Sequence, residues 1–216
     1  MNIQPYEEHY RIYEDFVRDL RHDDRYPFIK NVNDYNGESV IKLCPSQHQF
    51  VTSYQQKKIT DNFCEFLLKE TYPIVEMQVC TIANQNIFDA ICNQHNLESL
   101  RIKCFKGKDI SSIRELTNLK KLFIESGTAI EDISSLADLK QLEVLILGET
   151  KKIYDYSCLS KLQNLKALGI CNYQASISKT KLKMKSDMFI KDMPNLEWVD
   201  FVDCKIVGIV YPQDGQ

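Results

Sequence analysis

The sequence predicts an α/β solenoid, in which each coil runs strand, corner, short helical turn and return, behind an α-rich N-terminal cap. Three observations carry this. An aliphatic triplet, Leu-x-x-Leu-x-Leu/Ile, recurs at Leu97-Leu100-Ile102, Leu119-Leu122-Ile124, Leu142-Leu145-Leu147 and Leu165-Leu168-Ile170, with degenerate copies at Ile74-Met77-Val79 and Leu196-Val199-Phe201. The steps between first positions are 23, 22, 23, 23 and 31 residues, the near-constant period of a stacked-repeat architecture. A second apolar row keeps the same phase: Ile110-Ile113-Leu116, Ile130-Ile133-Leu136 and Ile153-Tyr156-Leu159. Its three-residue steps suit a 3₁₀ or short α turn rather than a strand.

Residues 1–72 read as an N-terminal capping region. Tyr6, Tyr10, Tyr13, Val17 and Leu20 fall at helical spacing and predict an amphipathic helix over about 5–21. Residues 22–38 are polar and turn-rich and read as a loop. SVIKLC (39–44) reads as a short strand at the sheet edge. A second helix is expected over about 60–70, with Phe63, Phe66 and Leu67 on one face and Thr60 as N-cap. The repeats span 73–206. The 31-residue step places an insertion at about 171–189, and residues 207–216 read as a C-terminal cap and tail after a last strand, Lys205–Tyr211.

Composition narrows the class. The 216 residues carry 27 Lys+Arg and 30 Asp+Glu, a net charge of −3, with 44% apolar and 26% charged residues. That is the balance of a globular protein and excludes intrinsic disorder. No apolar stretch approaches the roughly 20 residues of a membrane span. The start, MNIQPYEEHYRIYEDFVRDL, is acidic and aromatic and lacks the features of a secretory signal. The 8 Cys form no CxxC pair, so reduced thiols in the cytoplasm are expected. Residues 1–96 hold 9 basic and 14 acidic side chains, and 97–216 hold 18 and 16. This mild dipole is no nucleic-acid footprint.

The triplets and the second row, as in LKKLFIESGTAIEDISSLADL, resemble the leucine-rich-repeat family in its 22-residue internalin-like class. The resemblance covers about residues 73–206 and implies a right-handed solenoid, with short parallel strands on the concave face and 3₁₀ or short helices on the convex face. One departure stands out. The family places Asn, or sometimes Cys or Thr, just after the strand, where this chain has Phe105, Gly127, Thr150 and Tyr173. Corner hydrogen bonding is therefore expected from Ser126, Thr128 and Thr150 instead.

No catalytic constellation emerges. Cys44-x₃-His48 and Cys92-x₂-His95 match zinc spacing loosely, yet Cys92 shares an apolar helical stripe with Ile87, Phe88 and Ile91. His22-Asp23-Asp24 reads as a helix end and loop. Phosphate loops and nucleophile elbows are absent from the sequence. No cofactor and no metal are expected, and a zinc-dependent or Cys-His enzyme is the remote alternative. Function is therefore sought on the surface between the triplet positions. Strand alternation puts Glu76, Ser99, Lys121, Val144, Ala167 and Trp198 in one outward column, and Gln78, Arg101, Phe123, Ile146, Gly169 and Asp200 in the next. Cys80, Lys103, Glu125, Gly148, Cys171 and Val202 form a third.

Phe123, Val144 and Ile146 are expected to face solvent, with Trp198 further along, flanked by Arg101, Lys103, Lys121 and Glu125. An apolar patch with a charged rim is the anatomy of a protein-binding hot spot. The expected partner-binding set is Arg101, Lys103, Lys121, Phe123, Glu125, Val144, Ile146, Trp198 and Asp200. The alternative is that the N-terminal region, the 171–189 loop or the tail covers these groups. The resulting expectation is a non-enzymatic module that binds a protein partner, a toxin or effector among the candidates, as an immunity or inhibitor protein does. It would be a monomer when free or a stoichiometric heterocomplex, with no nucleic-acid or membrane partner. A self-associating scaffold or a regulatory subunit docked on an enzyme is the second reading.

Overall fold

The computed structural model describes residues 26–172 and 181–207. β1 (Phe28–Ile29) and β2 (Val40–Leu43) precede α1 (Ser53–Lys69). β3 (Glu76–Ala83) leads into α2 (Gln85–Cys92). β4 (Ser99–Phe105), β5 (Lys121–Ile124), β6 (Val144–Gly148) and β7 (Ala167–Cys171) then alternate with 3₁₀ turns at Ser111–Glu115, Ser134–Asp138 and Ser157–Lys161. β8 (Leu182–Met184), a 3₁₀ turn at Met188–Asp192, β9 (Trp198–Asp200) and β10 (Cys204–Ile206) follow. β1 to β7 and β9 form one 8-stranded sheet in chain order, and every pairing in it is parallel. β8 and β10 pair separately, also in parallel.

The triplets set the register. Met77, Leu100, Leu122, Leu145, Leu168 and Val199 lie opposite one another from strand to strand, as do Val79, Ile102, Ile124, Leu147 and Ile170. All but Val199 are fully buried, together with the second apolar row. A single coil exposes this apolar face, and only its neighbours cover it.

The polar corners are met differently from expectation. Asn96, Asn118, Asn164 and Asn195 each sit one residue before a triplet, and each donates its side-chain amide to a carbonyl of the preceding coil, at Tyr72, His95, Lys140 and Gln163. The asparagine ladder thus stands ahead of the strand rather than after it. Ser126 donates to the Glu149 carboxylate, and the Thr150 hydroxyl bonds that of buried Tyr156. Asp109, Asp132 and Asp155 accept the N–H two residues on, which starts each 3₁₀ turn.

Several boundaries differ from the sequence reading. α1 begins two turns earlier than about residue 60. Its N-cap is Thr52, in a reciprocal box with Gln55. Thr60 instead turns its hydroxyl to the carbonyls of Pro45 and Gln56. The polar run Ser53–Lys58 gave no apolar stripe by which to see the first turns. The 22–38 segment contains β1 and a 3₁₀ turn, Val32–Asp34, rather than loop alone, and β8 lies within the 171–189 insertion. The last strand begins at Cys204. The helix expected over 5–21 and the tail from 208 onward lie outside the described residues.

A Cβ on Gly148 would lie 2.0 Å from the Glu125 carbonyl oxygen of the adjacent coil. Gly148→Ala should therefore destabilise the protein by about 3 kcal/mol in denaturant titration. Lys185, with the Ser157 N–H, holds the Asp155 carboxyl down at about 2, below its ordinary 3.8. A lowered folded-state pKa gives stability that is present above the unfolded value and lost as pH falls through the folded one. Between pH 4 and 2 the thermal midpoint should fall less steeply in Asp155→Asn than in the parent chain.

Candidate functional site on the outer face of the sheet

The residues between triplet positions occupy the face turned away from the core. The register aligns Glu76, Ser99, Lys121, Val144, Ala167 and Trp198 in one column, and Gln78, Arg101, Phe123, Ile146, Gly169 and Asp200 in the next. β2 extends both columns with Val40 and Lys42.

Phe123, Ile146, Ala167 and Trp198 form an apolar cluster separate from the main core, with Val144 half-buried at its side. Gly169 borders this cluster: a Cβ there would be in ordinary contact, 3.4 Å from Ile146 and 3.5 Å from the Trp198 ring. Arg101 is 1% exposed. Its guanidinium lies 4.7 Å from the Phe123 ring centroid, its Nε donates to Glu125 Oε1 at 2.9 Å, and its Nη2 pairs with the same oxygen. A buried cation needs such a carboxylate, since removing either partner strands a charge out of water. Lys42, 2% exposed, sits with its ammonium 4.7 Å from the Phe28 ring centroid. Arg101, Phe123, Glu125, Trp198 and Asp200 each make at least one further contact of a polar, ring or electrostatic kind.

The chain's 75–151 segment matches the family model described as R13L1/DRL21 LRRs. Among solved structures, an internalin (inlF) from Listeria monocytogenes is similar with TM-score 0.52 and 21% identity, over 77% of this chain and 42% of that one. An internalin C2 (inlC2) from the same organism gives TM-score 0.51 and 19% identity, over 82% and 76%. The fold is a leucine-rich-repeat solenoid. The chain thus spans less than half the length of the first of these internalins. No curated protein matches it significantly. Among the described residues, no helix is long and apolar enough to cross a membrane.

In this leucine-rich-repeat solenoid, the expected binding set shares one face but not one environment. The expectation that Phe123 and Ile146 face solvent, with Trp198 beside them, is corrected. Phe123 and Ile146 are each 1% exposed and Trp198 is 3% exposed. Arg101 likewise lies buried rather than on a rim. The physical reason is apolar area: an aromatic side chain removes about 150–250 Å² from water when covered, at roughly 25 cal/mol per Å². Glu125, Val144 and Asp200 are half-buried, and only Lys103 and Lys121 are exposed.

The loose zinc pattern is not assembled. His48 Nε2 lies 2.8 Å from the Cys44 carbonyl oxygen, and His95 Nδ1 lies 3.2 Å from that of Glu115. Cys92 is buried on α2, where desolvation pushes its thiol up to about 12. Among the described residues, no three His, Cys, Asp or Glu side chains form a group that could hold a metal ion. Lys42 and Gln78, both buried in the second column, lie outside the expected binding set. Their signal was positional, because the same register that placed Arg101 beside Phe123 continues back through them.

If these side chains support the fold, truncation should register as lost stability. Phe123→Ala and Trp198→Ala should each cost about 3–5 kcal/mol in chemical unfolding. Values below about 1 kcal/mol would mean that the rings are exposed.

Proposed function

We propose that this protein is a non-catalytic binding module whose concave face recognises a protein partner, in the manner of an immunity or inhibitor protein that occludes its partner. The observation supporting this is the concave strip from Lys42 through Arg101 and Phe123 to Trp198. Its charges and rings are already fixed by neighbours, so docking on it costs little ordering entropy. Phe123, Ile146, Trp198 and Arg101 act as the floor. Lys103, Lys121, Glu125, Val144 and Asp200 supply the accessible contacts, with the two lysines steering an acidic partner surface. In this reading no cofactor takes part, and the protein works in the cytoplasm with reduced thiols.

The test is capture from the native source, with the partner then titrated against purified variants. Lys103→Glu combined with Lys121→Glu should weaken the partner's affinity by about tenfold or more, mainly through association rate. Lys161→Glu, on a 3₁₀ turn of the opposite face, should leave it unchanged. Equal binding by the concave double variant, or loss with the Lys161 variant, would contradict the assignment.

A further inference from the structure

Two thiols stand opposite one another where the N-terminal cap meets the first repeat. The last register pair of β2 and β3 is Leu43 with Val79; Cys44 directly follows β2, and Cys80 is the next residue of β3, where the register of β3 with β4 shifts between Val79 and Ile82. Beyond them the chains stay side by side: the Ser46 N–H donates to Thr81 Oγ1 at 3.2 Å, and the Ser46 hydroxyl donates to the Ile82 carbonyl at 2.7 Å. The cysteine pair is therefore clamped from both directions. Neighbouring strands run about 4.8 Å apart, within the roughly 4.4–6.8 Å between Cα atoms that a disulfide spans. Both cysteines are free thiols. Cys44 is 8% exposed and Cys80 is half-buried.

Their surroundings divide the labour between them. The Cys80 S–H donates to the Gln78 carbonyl oxygen at 3.8 Å. The neighbouring Cys80 thiol and the ammonium groups of Lys30, Lys42 and Lys103 favour negative charge at Cys44, so the Cys44 thiol is held below its ordinary value. The Cys44 sulfur beside it and burial push the Cys80 thiol up. Elsewhere, burial raises the thiols of Cys64, Cys92, Cys158 and Cys204. The thiolate is the nucleophile, and the three lysines around Cys44 favour that form there.

We infer that Cys44 and Cys80 form a peroxide-reactive dithiol site that closes to a disulfide joining β2 to β3. The Cys44 thiolate attacks a hydroperoxide oxygen. The S–O bond forms, the O–O bond breaks, and the departing hydroxide takes a proton to leave as water. Cys44 is then a sulfenic acid, and the peroxide has been reduced. Cys80 sulfur attacks Cys44 sulfur; the S–S bond forms, the S–O bond breaks, and the leaving hydroxide takes the Cys80 proton as a second water.

The test treats the folded full chain with hydrogen peroxide, blocks the remaining thiols, and maps disulfides by peptide fragmentation. Cys44 and Cys80 should be lost together from the 8 thiols, joined within one chain. In Cys80→Ser, a sulfenic acid should accumulate at Cys44 and react with dimedone. In Cys44→Ser, Cys80 should stay reduced. A thiol count unchanged under peroxide that oxidises free cysteine, a disulfide through any other pair, or a bridge between two chains would overturn the proposal. The wild-type map decides the matter even where a serine variant fails to fold.

Discussion

A coil of this protein cannot cover its own aliphatic triplet, and from that constraint the rest of the structure follows. Leu100, Leu122, Leu145 and Leu168 must stand directly across from one another to be shielded, which holds the repeat period almost constant. Where the period lengthens to 31 residues, β8 stands outside the main sheet and pairs with β10. The close approach of coils also explains the residues that carry no apolar mass. Gly148 sits against the neighbouring backbone, and the asparagines ahead of four of the six triplets satisfy carbonyls that the turn leaves open.

The same register has a consequence on the other face. Columns that would be solvated in an idle sheet here hold Arg101 on the Phe123 ring and Ile146 against Ala167 and Trp198. A guanidinium over an aromatic face is attracted by the ring's quadrupole, and more strongly when dry. The Glu125 carboxylate completes its neutralisation. This places a charged group and an apolar cluster side by side without either being stranded, and it gives the concave face a fixed shape. The exposed lysines beside it belong to a different physical regime, in which charge acts at a distance and is screened by salt.

Much of this was legible in the chain. Period and phase sufficed for the parallel sheet, the 3₁₀ turns and the first two outward columns, because each depends on spacing alone; the third column breaks at β3, where the register with β4 shifts between Val79 and Ile82 and Cys80 is not paired with Lys103. What spacing does not carry is whether a face is covered. Phe123 and Ile146 sit at outward positions and are nonetheless buried, since burial there depends on the third dimension rather than on alternation. The first turns of α1 were hidden because Ser53–Lys58 is polar, and the helix start rests on the side chains of Thr52 and Gln55. The asparagines stand before the strand rather than after it, and Asn96, Asn118, Asn164 and Asn195 keep the phase of the triplets.

The shape of the concave face rests on the burial of the Phe123, Ile146 and Trp198 side chains, and Trp198, the one tryptophan, reports on it alone. Acrylamide quenching of the native protein's fluorescence reads its accessibility directly. The buried ring should emit at short wavelength and be quenched far less than in the unfolded chain. Quenching equal to that of the unfolded chain, with emission at the wavelength of indole in water, would contradict it.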